Sequence, residues 1–221
     1  MYKKLSFKTS IILFTAVIVS FVCFSACSNN APVLNNAKLS IVFDYDDYES
    51  LPKARLSIFV EASSNPRRFE SITVTSNKNE LVWESKDLIL AETNEISYCG
   101  LTNLVMPEKE IIPAGEYKIT FTQSDDEAKE VVRTLNYDKQ LYDTKGSDVA
   151  ALMGKTSATK MITIYDNEKK VLYYGPRKRE LSDSRRIWNE YRTAAEFQES
   201  WVNSNGTVIC NMPVEKVEPG N

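Results

Sequence analysis

Few side chains in this 221-residue chain are equipped for covalent chemistry. Histidine is absent altogether, which excludes Ser-His-Asp and Cys-His catalysis and removes the commonest ligand of zinc and other transition metals. Four cysteines supply thiols: Cys23, Cys27, Cys99 and Cys210. A thiolate is nucleophilic enough to form a thioether, and Cys27 stands at the end of an apolar run. Cys99 and Cys210 are too few and too far apart in sequence for a thiolate metal motif. Carboxylates cluster at Asp44, Asp46, Asp47 and Glu49, interleaved with Tyr45 and Tyr48. Calcium requires such oxygens, but no glycine sits where an EF-hand loop turns, so a strand running into a solvated acidic loop is expected. Ser124-Asp125-Asp126-Glu127 reads as a hairpin tip. Gly154-Lys155-Thr156 lacks the glycine that a phosphate loop needs five positions earlier, where Val149 stands. No catalytic set, metal site or cofactor is therefore expected.

One basic concentration remains, Arg177, Lys178, Arg179, Arg185 and Arg186. Positive charge before a helix opposes its dipole, so contact with an anionic lipid surface is a candidate role. Glu180, Asp183 and Glu190 can neutralise it locally, which makes a solvated face the expected outcome. Trp188, Tyr191 and Trp201 could line a groove, but their helical spacing assigns them to a core. Asn205-Gly206-Thr207 reads as a turn before a strand.

The start of the chain decides where these groups work. Lys3, Lys4 and Lys8 precede an apolar stretch, 11–24, broken only by Thr15 and Ser20. That order is the one of a secretory signal. The apolar segment is shorter than the ~20 residues that a membrane-spanning helix needs. It ends Phe24-Ser25-Ala26-Cys27, which resembles the lipobox of bacterial lipoproteins. The resemblance covers residues 1–27 and departs from the usual aliphatic residue at Phe24. It implies cleavage between Ala26 and Cys27, a diacylglyceryl group on the Cys27 sulfur, and a protein exported and lipid-anchored to a bacterial envelope membrane. Two acyl chains suffice for stable anchoring. Loss of residues 1–26 removes three lysines and no acid, so the net charge moves from −3 to −6 and gives no reason to expect a nucleic-acid partner. Only Cys99 and Cys210 then remain, in a compartment that permits a disulfide between them.

The elements behind this anchor read as mainly β. Residues 27–36 form a polar tether. Alternation marks strands at 39–45, 54–60, 72–75, 81–83, 117–121 and 131–135, arranged as antiparallel hairpins. After Asp138 the pattern changes to a helical turn at 148–153, a hairpin at 161–165 and 171–174, a helix over 184–201, a short strand at 207–210 and a disordered tail over 214–221. Ile112-Pro113-Ala114-Gly115-Glu116-Tyr117, a Pro and Gly corner leading into a strand that starts with tyrosine, resembles the turn before a late strand of immunoglobulin-like and fibronectin-type sandwiches. The resemblance implies an immunoglobulin-like β-sandwich over 37–143, and the later pattern reads as a small α+β extension over 144–213 with one main helix. The expected function is a non-enzymatic binding or structural module, with an unidentified envelope protein or ligand as partner. Two alternatives stand beside it: a carboxylate-dependent envelope enzyme, directed at glycans, or an assembly factor that uses an exposed sheet edge.

Overall fold

In a computed structural model the chain is mainly β, with twelve strands in two sheets and two short α-helices among the described residues. The structure describes residues 34–218, apart from 63–65, 79–80, 94–95, 108–109 and 126. The stretch expected as a signal peptide, with Ala26 and Cys27, and the last three residues lie outside the described residues. The strands are β1 (Leu34–Asp44), β2 (Lys53–Ala62), β3 (Phe69–Ser76), β4 (Val82–Ser85), β5 (Ile89–Thr93), β6 (Ile96–Leu104), β7 (Gly115–Gln123), β8 (Ala128–Leu135), β9 (Thr159–Asp166), β10 (Val171–Pro176), β11 (Ala194–Val202) and β12 (Val208–Lys216). The helices are α1 (Val149–Gly154) and α2 (Ser184–Glu190).

Eight strands form the larger sheet in the order β10-β9-β11-β12-β1-β2-β6-β5, and four form the smaller, β4-β3-β7-β8. All neighbours are antiparallel except β1 and β12, which run parallel with Ile41 beside Val208 and Asp44 beside Asn211. Alternation builds the core directly. Leu39, Ile41 and Phe43 of β1, Leu56, Ile58 and Val60 of β2, and Tyr117, Ile119 and Phe121 of β7 are all buried in one cluster between the sheets. Cys210 and Met212 of β12 join the same cluster. A second, smaller cluster of Ile162, Ile164, Leu181, Ile187, Ala194, Phe197 and Val217 packs α2 against β9 and β11. Phe197 pairs with Ile164 and Gln198 with Thr163, so both clusters lie on the same side of the large sheet.

Local chemistry fixes several corners. The Tyr117 hydroxyl donates to the Pro113 carbonyl at 2.5 Å. Tyr142 accepts from the Ile112 amide at 2.9 Å, and the Tyr137 hydroxyl donates to the Ile112 carbonyl, so both polar groups of that buried peptide are satisfied. Gly100 crosses β2 so closely that a Cβ would stand 2.0 Å from the Ile58 carbonyl oxygen. At Gly206 the chain turns into β12 with φ 67°, a conformation that favours glycine.

Several expectations change. The helix expected over 184–201 ends at Glu190, because Tyr191 turns out to φ −125°, ψ 90° and the remainder becomes β11 between β9 and β12. Apolar residues four apart, such as Phe197 and Trp201, satisfy a strand's period of two as well as a helix turn. Strand β1 begins at Leu34, inside the stretch expected as tether, and β12 continues to Lys216 with Val217 buried, inside the stretch expected as a disordered tail. Strands β5 and β6 were not expected as elements. Both ends of the described chain are thus held by the same sheet.

Candidate functional site

The residues singled out from sequence are mostly occupied by one another. Asp46 pairs with Lys53 at 2.5 Å, Glu49 with Lys145 at 3.0 Å, and the Asp47 carboxylate accepts from the Glu49 amide at 2.8 Å, as in an ordinary turn. Asp44 points elsewhere, to Arg55. Among the described residues no group of three or more Cys, Asp or Glu side chains is placed to hold a metal ion. Gly154-Lys155-Thr156 closes the C-terminal end of α1, where carbonyls rather than amides are free, the opposite of a phosphate cradle.

Of the basic stretch, Arg177 is half-buried, whereas Lys178, Arg179, Arg185 and Arg186 are exposed. Arg177 turns inward to Glu199 and to the carbonyls of Leu181 and Ser182. Lys178 lies 5.8 Å from the centre of the Tyr173 ring. Arg186 bonds Asp183 and the Arg179 carbonyl, while Asp183 caps α2 through the Arg186 amide. That amide bond, with Ser182 and the nearby arginines, holds the Asp183 carboxyl below the usual range. Of the three aromatics, Trp201 packs on the main core and Trp188 and Tyr191 on the smaller cluster.

The two cysteines for which the compartment would permit a disulfide are free, buried thiols. Cys210 sits beside Phe43 of β1, whereas Cys99 sits beside Val60 of β2, which faces Ala37. Three strand spacings of ~4.8 Å separate them sideways, well beyond the ~7 Å between Cα atoms that a bridge tolerates. Burial pushes the Cys99 thiol up to about 11 and Cys210 to about 12, so neither is a reactive thiolate at neutral pH.

Two polar networks remain, on opposite sides of the large sheet. On the inner side, toward the cores, Glu199 is 7% exposed and is held by Lys160 at 2.6 Å and by Arg177. It lies between the two apolar clusters and is enclosed by its own partners.

The outer side carries a groove of about 310 Å³ that crosses seven neighbouring strands, from β10 to β6. Its floor is a continuous relay. Ser200 of β11 donates to the Asn211 side-chain oxygen at 2.7 Å, and the Asn211 amide donates to Asp44 at 2.8 Å. Arg55 of β2 donates to the same carboxylate at 2.6 and 3.3 Å, and its other nitrogen donates to the Thr102 carbonyl at 2.5 Å and to the Thr102 hydroxyl. Five strands are joined edge to edge. Around this floor stand Ser57, Thr163, Tyr165 and Tyr174, with Tyr174 on the edge strand 62% exposed. Period-two alternation puts them there, since each neighbours a residue that is buried on the core side. A larger hollow of about 530 Å³, near Pro52, Met106 and Tyr142, is shaped by a loop that includes residues outside those described.

No protein-family model and no curated protein matches this chain.

Sequence reasoning singled out Asp44 but missed the rest of this site. Thr163, Gln198, Ser200 and Asn211 are ordinary polar residues, and their only signal is alternation with apolar neighbours.

Proposed function

We propose that this chain is an exported lipoprotein, anchored through Cys27 to a bacterial envelope membrane, that works as a non-enzymatic binding module through the outer face of its eight-stranded sheet. The relay joining Thr102, Arg55, Asp44, Asn211 and Ser200 under an open groove carries this reading. A polar network of that extent on a sheet face preorganises donors and acceptors where, among the described residues, no second sheet or helix covers them.

The same proposal takes the first eight strands as an immunoglobulin-like sandwich. Supporting it, the orders β1-β2-β6-β5 and β4-β3-β7-β8 match the ABED sheet and the CFG sheet with an added C′ strand, and Tyr117 bonds back to Pro113 as a tyrosine corner does at the start of strand F. Strands β9 to β12 extend the first of these sheets from its A edge.

An enzymatic reading with two facing carboxylates finds none among the residues that line the groove, and the nearest, Asp44, is already paired with Arg55. The edge-pairing alternative has a specific observation behind it. Strand β5 is an outer strand whose Ile89 and Leu90 are both exposed.

Site-specific photo-crosslinking in cells separates them. A photoreactive residue at Tyr174 should give a reproducible adduct that a Cys27→Ala form loses, and one at Leu90 should give none. Adducts from Leu90 alone would move the function to the sheet edge.

A further inference from the structure

Resting on the reading of the outer face as a binding surface, we propose that the groove takes a neutral, hydroxyl-rich ligand, an oligosaccharide chain lying across the strands. Charge is the first argument. The single cation lining the groove, Arg55, is neutralised by Asp44 beside it on the neighbouring strand, at 2.6 Å, so the floor offers no net charge to a phosphate, a carboxylate or an amine. An ionic ligand would need to displace that pair and leave one partner uncompensated.

Hydrogen-bonding capacity is the second. The side-chain hydroxyls of Ser57, Thr163, Tyr165 and Tyr174 line the groove, and none has a partner among the described residues. The Gln198 amide nitrogen donates to the Met212 carbonyl at 2.9 Å, which leaves its oxygen as an acceptor toward the groove. Hydroxyls both donate and accept, so such a rim matches a ligand whose own groups do the same. It does not match an extended peptide, which needs an open strand edge; the groove crosses the middle of a sheet whose backbone groups are already paired.

Shape is the third. The lining comes from seven adjacent strands and forms an open groove, not a closed pit, which suits part of a sugar chain running on past it rather than one enclosed sugar. At its end the broad, exposed ring of Tyr174 offers an apolar surface with a polar tip, which suits the C–H face of a sugar ring.

The test is calorimetric titration of the full-length protein, in a detergent without a sugar headgroup, with tetra-N-acetylchitotetraose, cellohexaose and maltohexaose. At least one should bind, with an affinity that stays constant from low to high salt, as expected for a neutral ligand. Tyr174→Ala should weaken it about tenfold, and Thr163→Val with Tyr165→Phe severalfold, with each variant melting at the wild-type temperature. Binding that survives Tyr174→Ala unchanged would overturn the site, and binding that collapses with salt would overturn the ligand's neutrality. No heat with any of the three at millimolar concentration would overturn the ligand class. In that case protein adducts from Tyr174 in cells would still uphold the binding face, whereas their absence as well would remove both.

Discussion

The two faces of the eight-stranded sheet use the same chemistry to different ends. On the inner face a carboxylate, Glu199, is held by two cations and shut in between the apolar clusters. On the outer face a carboxylate, Asp44, is held by one cation and one amide and lies under an open groove. Enclosure turns such a group into a structural commitment, because removing its cations leaves a carboxylate that little water reaches. Exposure lowers that cost and leaves neighbouring donors and acceptors available. The position of a polar group relative to the sheet, not its type, separates scaffold from site here.

The sharpest way to break this contrast is to remove the enclosed carboxylate. Glu199→Ala should destabilise by about 3 kcal/mol, a fall of roughly 6 to 12 °C in the melting temperature of a domain this size, because Lys160 and Arg177 lose their common partner. A change of a degree or two, by calorimetry, would mean that the inner network is as solvated as the outer one.

A second way is to raise the pH. Burial pushes Tyr117 up to about 12, Cys210 to about 12 and Cys99 to about 11, and drives Tyr45 and Tyr137 higher still. All belong to the core side of the sheet or to the linker packed on it. A group whose folded pKa lies above its unfolded value binds more protons folded than unfolded in the interval between them, so its contribution is whole below about pH 9 and is lost as the pH climbs toward 12. Absorbance at the phenolate band should therefore rise together with loss of the β signal in circular dichroism. Full ionisation of all eleven tyrosines near pH 10 with the fold intact would contradict the enclosure of the inner face.

Smaller effects belong to the outer face. Arg55→Ala should cost about 1 kcal/mol, measured by urea denaturation, since the pair is partly solvated and Asn211 still serves Asp44. Tyr174→Ala should change stability by less than about 0.5 kcal/mol, because its ring covers little else. A loss from Tyr174→Ala as large as that from Glu199→Ala would make the groove part of the core.

Much of the scaffold was legible in the sequence because alternation reports burial directly. The stretches 54–60, 117–121 and 131–135 read as strands and are β2, β7 and β8. Strand β6 was missed because Cys99, Gly100 and Leu101 are buried consecutively, beside an irregular register between Leu56 and Ile58, so no clean alternation survives. The end of α2 was hidden by a spacing of four that helix and strand share. The parallel pairing of β1 with β12 joins residues far apart in the chain, a contact that no local pattern encodes. The groove was illegible for the same reason. Ser200, Asn211, Asp44, Arg55 and Thr102 come from five strands, and only the strand order makes them neighbours.

Tyr173 and Tyr174 allow the central claim to be tested on adjacent residues. Strand β10 presents Tyr174 to the outer groove, while Tyr173 packs on the inner cluster against Tyr191, with ring centres 6.0 Å apart. Hydroxyl-radical footprinting of the protein in intact cells and after purification compares their reactivity in one peptide. Engagement of the outer face should protect Tyr174 several-fold in cells and leave Tyr173 unchanged. Equal labelling of Tyr174 in both states, or protection confined to Tyr173, would contradict it.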